Sequence, residues 1–243
     1  MWVFIWVIVL KRFFYAASLA VGQHCDLPPV LLHRVLDVLR MKSGDRMVLF
    51  NGRGGEYICV LNTALKQVQV SEFIATDRSA KRQLTLVLAA SFGKKMDWIM
   101  QKATELGVSE IQPIITDRSK LNRPPTESMQ RRWSKIIESA CEQCGLNRLP
   151  VLKPGLPFDV WLEQCGSQPI YYLDPHHATS APSVPSNRLD LAVLIGCEGG
   201  WSARETAMLA ERDDVHPCYL GERILRMETA VVIACGWFNC LNA

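Results

Sequence analysis

Two stretches late in the chain hold residues whose types and spacing could do chemistry. Leu194-Ile195-Gly196-Cys197-Glu198-Gly199-Gly200 is one; Leu220-Gly221-Glu222-Arg223-Ile224-Leu225-Arg226-Met227-Glu228-Thr229-Ala230 is the other. Each reads as an apolar strand end, a glycine-bearing loop and a helix start. Glycines at such a corner let a ligand approach the backbone closely. Two corners of this kind can share one crevice outside the carboxyl ends of a parallel sheet, where open α/β folds bind ligands.

The elements that must position these loops are legible as alternating strands and helices from Leu84 onward. Leu84–Ala90 reads as a buried strand, and Met96, Ile99, Met100, Ala103 and Leu106 recur at helical spacing up to a stop at Gly107. Glu110–Ile115, Ile170–Leu173 and Leu191–Ile195 read as further strands. Thr126 can cap a helix whose inner face is Trp133, Ile136, Ile137, Ala140 and Cys144. Ser202-Ala203-Arg204-Glu205 is a capping box directly after the Gly-Gly loop, and Thr229–Cys240 is an apolar terminal helix. The alternation implies an α/β fold with a mostly parallel sheet. Residues 11–78 differ: Asp45–Phe50 and Glu56–Leu61 are strand-like runs around Asn51-Gly52-Arg53-Gly54-Gly55, a hairpin turn rather than a phosphate loop, since no Lys-Ser/Thr and helix follow. A charged boundary falls at 77–82, giving a β-rich domain over 11–78 and an α/β domain over 82–243. The Pro-, Ser- and His-rich stretch between Leu173 and Leu191 reads as an exposed loop.

Composition bounds the reading. The chain has 243 residues, 49% hydrophobic and 21% charged, with a net charge of +3, which is ordinary for a globular protein. Residues 11–53 hold seven lysines and arginines against three aspartates, a surplus of four that exceeds the whole chain's +3. This is the footprint either of phosphate contacts or of a solvated basic surface. Nine cysteines in no scaffold spacing suit free thiols in a reducing cytosol. Cys141 and Cys144 form a lone CxxC within a helical pattern, so metal or redox use lacks a second pair. Met1–Leu10 is almost wholly apolar yet too short to span a bilayer, and its charge follows rather than precedes the run. It reads as a non-native extension or an added edge strand. No Rossmann, Walker, GxSxG or HExxH motif is present.

Five segments in order resemble the bacterial family that methylates N3 of a uridine in 16S ribosomal RNA. They are Arg12-Phe13-Phe14 with Val38-Leu39-Arg40-Met41, Met96 through Val108, Ala140 through Pro150, and the two stretches above. The resemblance covers residue 11 to about residue 240. It implies a small PUA-like β-barrel for RNA, followed by a knotted SPOUT-type (trefoil) methyltransferase domain that binds S-adenosylmethionine and works as a cytoplasmic homodimer. Neither a metal nor a membrane is implied. Three positions depart from the family pattern: Cys197 where proline is usual, Asp37 in a basic stretch, and Asp174 where histidine is frequent.

Methyl transfer from a sulfonium to nitrogen is an in-line displacement that needs near-attack geometry and no covalent intermediate. The uridine N3 proton must leave first, and a cation near O2 or O4 stabilises the anion. Arg226 is the candidate for that role. Glu198 is a candidate base, or an anchor of its own loop. Leu194, Ile195, Gly196, Gly199, Gly200, Leu220, Gly221, Ile224, Leu225 and Thr229 are the candidate cofactor contacts; plain core packing is the alternative for one of Leu220, Ile224 and Leu225. Arg12, Arg40, Lys42 and Arg148 are the candidate RNA contacts, with exposed salt bridges as the alternative. Competing readings are a knotted methyltransferase acting on transfer RNA or a ribose hydroxyl, and a non-catalytic RNA-binding or assembly protein.

Overall fold

Two compact units emerge in the computed structural model: the chain up to Arg78 with Cys141–Arg148, and Ser79–Ala140 with Leu149 onward. The structure describes residues 10–174 and 190–241; the expectations for the apolar start (residues 1–9) and the loop at 175–189 lie outside them.

In the first unit, β1 (Lys11–Phe14), β2 (His24–Asp26), β3 (Arg46–Phe50), β4 (Glu56–Asn62) and β5 (Gln67–Ile74) form a sheet in the order β1-β3-β4-β5-β2. The hairpin stands where the sequence puts it, with Leu49 opposite Tyr57. Gly52, Gly54 and Gly55 of its turn all have positive φ, a region open to glycine at little cost. A short helix, α1 (Pro29–His33), runs on as a π-helical turn, Arg34–Val38. Phe13, Val35, Met47, Leu49, Cys59, Leu61 and Val68 fill the core.

Cys141–Arg148 joins this unit through specific bonds. Asn147 is fully buried; it donates from Nδ2 to the Thr76 carbonyl at 2.6 Å and accepts from Arg12 Nη2 at 2.6 Å. Arg12 also pairs with Glu56 and lies over the Phe50 ring. Burial alone would push the Glu56 carboxyl up, but hydrogen bonds from Arg78 and Arg12 and their charges outweigh it and hold it below its ordinary range. Arg12 therefore serves the fold: its side chain is 11% exposed and already neutralised, so it is not available to phosphate. Arg12→Ala should leave Glu56 and Asn147 short of partners and cost about 2–3 kcal/mol of stability, read by urea unfolding. Because the Glu56 pKa is depressed, that contribution is present at neutral pH and lost as pH falls below about 4; the variant's deficit should shrink there.

The second unit is a parallel sheet in the order β12-β10-β11-β6-β7-β8, with β9 also on β7. Its main strands are β6 (Gln83–Ala89), β7 (Glu110–Ile115), β10 (Ile170–Leu173), β11 (Asp190–Ile195) and β12 (Val215–Cys218); β8 (Val151–Leu152) and β9 (Leu156–Pro157) are two-residue pieces. The central strands β6 and β11 are near-continuous apolar runs, as strands covered on both faces require. The helices are α2 (Lys94–Glu105), α3 (Glu127–Cys144), α4 (Phe158–Gln164), α5 (Ala203–Ala210) and α6 (Met227–Gly236). On α3 the buried stripe is Trp133, Ile137, Ala140 and Cys141, while Ile136 and Cys144 are only partly covered. Residues 133, 137, 140 and 141 keep one face at 3.6 residues per turn. The terminal helix begins two residues before Thr229 and passes into a π turn, Trp237–Leu241. β12 is absent from the sequence reading: four residues with Pro217 make a weak pattern, and proline is tolerated because the strand lies at the sheet edge.

Candidate active site

Both glycine corners leave the carboxyl end of one parallel sheet, from strands that flank β10. β11 ends at Ile195, the loop 196–202 follows, and α5 starts at Ala203; β12 ends at Cys218, the loop 219–226 follows, and α6 starts at Met227. β10 lies between β11 and β12. The two loops enclose one cavity of about 260 Å³ outside the carboxyl ends of these three strands.

Of the candidate cofactor contacts, Ile195, Gly196, Gly199, Gly200, Leu220, Gly221, Ile224 and Leu225 line this cavity, and so does Glu198. Leu194 does not: successive residues on a strand face opposite ways, and Leu194 is fully buried among Val87, Phe158 and Tyr172. Thr229 lies exposed on α6, where Met227 and Ala230, three residues apart, face the cavity instead. Ile224 is 79% exposed, which rules out core packing for it. Arg226 is the N-cap residue of α6, exposed, with its side chain outside the lining set. No hydrogen bond or ion pair among the described residues engages its guanidinium.

The 196–202 loop is bolted from below. Ser202 and Glu205 form the full capping box. Glu205 is completely buried, and its carboxylate accepts from Ser202 N and Asp117 N, each at 2.8 Å. Asp117 also takes a forked contact from Arg204. That hydrogen bond, with a second from Ser202, holds its carboxyl below the usual range. The neighbouring Arg118 donates to the Gly199 carbonyl at 2.8 Å. Trp201 forms a wall: its Nε1 donates to the Leu173 carbonyl at 3.1 Å, and its ring meets Phe158 and Tyr172. A Cβ on Gly196 would sit 3.1 Å from this ring. Gly200 and Gly221 have positive φ and nothing within 4 Å of an added Cβ, so their backbone borders open space. Such a cradle, with apolar walls, suits an adenosine-containing molecule such as S-adenosylmethionine.

Arg118, Trp201 and Thr206 also line the cavity and escaped the sequence reading, as do Asp174 and Arg223, which the sequence did not mark as site residues. The one signal available for Arg118 was its place just past the end of β7, on the same side of the sheet as the glycine loops. Among the RNA candidates, Arg40 and Lys42 are exposed, and Arg40 has φ +52°, uncommon for a residue with a Cβ. Arg148 is exposed but pairs with Asp77 at 2.9 Å. Asp37 contacts His33 at 2.6 Å. Cys197 lines the cavity, and no disulfide joins the cysteines whose side chains are described. No group of three His, Cys, Asp or Glu side chains among the described residues could hold a metal, and none of their helices is long and apolar enough to cross a membrane.

Residues 78–239 match the model of an RNA methyltransferase domain, and residues 36–73 that of an RNA methyltransferase PUA domain. The ribosomal RNA small subunit methyltransferase E of Synechocystis sp. is 30% identical over 241 residues, 96% of this chain and 78% of that protein. Among solved structures, a Legionella pneumophila methyltransferase with bound S-adenosylmethionine is 32% identical with a TM-score of 0.87, over 94% of this chain and 96% of that one. The Neisseria gonorrhoeae ribosomal RNA small subunit methyltransferase E bound to S-adenosylmethionine is 30% identical, with a TM-score of 0.87 over 96% and 98% of the two chains. With both domain models matched in order, this chain belongs to the ribosomal RNA small subunit methyltransferase E family, α/β RNA methyltransferases with an N-terminal PUA-like domain.

Proposed function

We propose that this protein transfers a methyl group from S-adenosylmethionine to N3 of one uridine in 16S ribosomal RNA. The observation that carries this reading is the cavity framed by both glycine corners, with Arg226 exposed at the start of α6 and its guanidinium making no hydrogen bond or ion pair among the described residues. When bound, S-adenosylmethionine supplies an electrophilic methyl group on a sulfonium. The chain's own residues do the rest. Backbone groups of Gly196, Gly199, Gly200, Leu220 and Gly221 hold the cofactor, with Ile195, Ile224 and Leu225 as apolar walls. Arg226 meets the uridine O2 or O4 and stabilises the anion left when the N3 proton departs to water. Of the two roles open to Glu198, its ion pair with Lys95 favours loop anchor over base.

In this reading Arg40 and Lys42 contact the RNA backbone, as their exposure allows. Arg148 remains a candidate on the rim of the same unit. The terminal segment carries the trefoil knot implied by the family resemblance, in keeping with both loops meeting in one cavity. The protein works in the cytoplasm as a homodimer through the α2–α6 face, where Trp98 is 40% and Ile233 is 38% exposed. These are large apolar side chains on two helices already packed together.

The substrate is the assembled small subunit rather than bare RNA. The test is methyl incorporation by the purified protein into assembled small subunits, deproteinised 16S RNA and transfer RNA. Preferential labelling of the assembled particle is expected; labelling of transfer RNA alone would overturn the substrate assignment.

A further inference from the structure

Lys95 ties together three elements far apart in sequence. It lies in the first turn of α2. Its Nζ pairs with Glu198 Oε1 of the first glycine loop and lies 3.9 Å from Glu228 Oε2 in the first turn of α6. A cation in the first turn opposes its own helix dipole, so this lysine is poorly placed for α2 itself. What compensates is the pair of carboxylates it faces. Glu228 Oε2 is buried and makes no hydrogen bond among the described residues, where Lys95 is the cation within 4 Å that offsets its charge. All three side chains are partly sheltered, between 24% and 38% exposed. In such surroundings an ion pair keeps more of its strength than at an open surface.

We infer that Lys95 is a positioning residue that clamps the Glu198 loop to the start of α6, fixing the two corners of the cofactor cavity against each other. It touches neither cofactor nor RNA in this account and acts through Glu198 and Glu228. The inference rests on the assignment of the cavity to S-adenosylmethionine. Removing Lys95 frees the Glu198 loop on one side and leaves Glu228 uncompensated on the other, so the two lips of the cavity lose their fixed separation. The chemistry at Arg226 does not pass through Lys95. The effect should therefore fall on cofactor affinity and KM rather than on kcat.

The test is calorimetric titration of the full chain with S-adenosylmethionine and S-adenosylhomocysteine. Lys95→Met should weaken both by about tenfold and raise KM for the cofactor to match, with kcat within about twofold. Lys95→Arg, which keeps the charge, should stay within about threefold of wild type. Because Lys95 acts through Glu198, Lys95→Met combined with Glu198→Gln should bind no more than about threefold weaker than the worse single variant. Wild-type affinity in Lys95→Met, or two losses that multiply to about a hundredfold, would overturn the clamp. If circular dichroism shows that Lys95→Met has lost its fold, Lys95→Gln carries the same expectation. Failure of the wild-type protein to bind either ligand would instead sink the cavity assignment beneath it.

Discussion

Arg226→Ala should lower methyl transfer by about 10²–10³-fold, the usual cost of removing one preorganised donor to a developing anion. Its Kd for S-adenosylmethionine should stay within about twofold of wild type. The split follows from placement. Arg226 caps α6 at the edge of the cavity but is not among its lining residues, and it is exposed to whatever docks there. Its neighbours Leu225 and Met227 line the cavity, so the cofactor contact survives the substitution. Arg226→Lys keeps a charge but loses the planar fork that can meet a carbonyl oxygen at two points; it should recover only part of the rate. Single-turnover kinetics on assembled small subunits, with titration of the cofactor, separates the two effects. A rate equal to wild type in Arg226→Ala would refute the role assigned to this residue.

Glu205→Ala should be the most destabilising single change in the site. The carboxylate is fully buried and serves two backbone donors, Ser202 N and Asp117 N. Truncation strands both and removes half of the capping box. Each stranded donor of this part-buried network costs about 1 kcal/mol, and a lost cap about 1 kcal/mol. A total near 3 kcal/mol corresponds to about 6–12 °C in Tm for a chain of this size. The same change frees the 196–202 loop from the loop after β7, so cofactor affinity should fall as well. Thermal unfolding with and without S-adenosylmethionine reads both. Glu205→Gln, which keeps one acceptor oxygen, should lose about half as much. Wild-type Tm in Glu205→Ala would contradict the buried network.

How much of this was legible in the sequence depends on how local the signal is. The capping box at Ser202–Glu205 and the hairpin at Asn51–Gly55 rest on contacts within a few residues, and the strand Glu110–Ile115 on its own apolar run; all three stand as read. The glycine loops were visible because only close backbone approach explains so many glycines at strand ends. Leu194 was misplaced by one residue of pleat, and Thr229 by one helical step. What escaped was long-range. Arg118 reaches Gly199 across 81 residues of sequence, and Lys95 reaches Glu198 across 103. Nothing in their own neighbourhoods marks them. Arg12 shows the converse: a basic residue in a basic stretch reads as an RNA contact until Glu56, Gly145 and Asn147 are seen around it. The segment Cys141–Arg148 was noticed for its motif, yet the bonds that explain it lie with the N-terminal unit.

The central claim is the methylated atom and the RNA that carries it. The most direct test is nucleoside mass spectrometry of 16S ribosomal RNA from a strain lacking this gene, with the gene restored in parallel. Loss of 3-methyluridine from that RNA is expected, with its return on complementation with wild type but not with Arg226→Ala. An unchanged 3-methyluridine level in the deletion strain would contradict it.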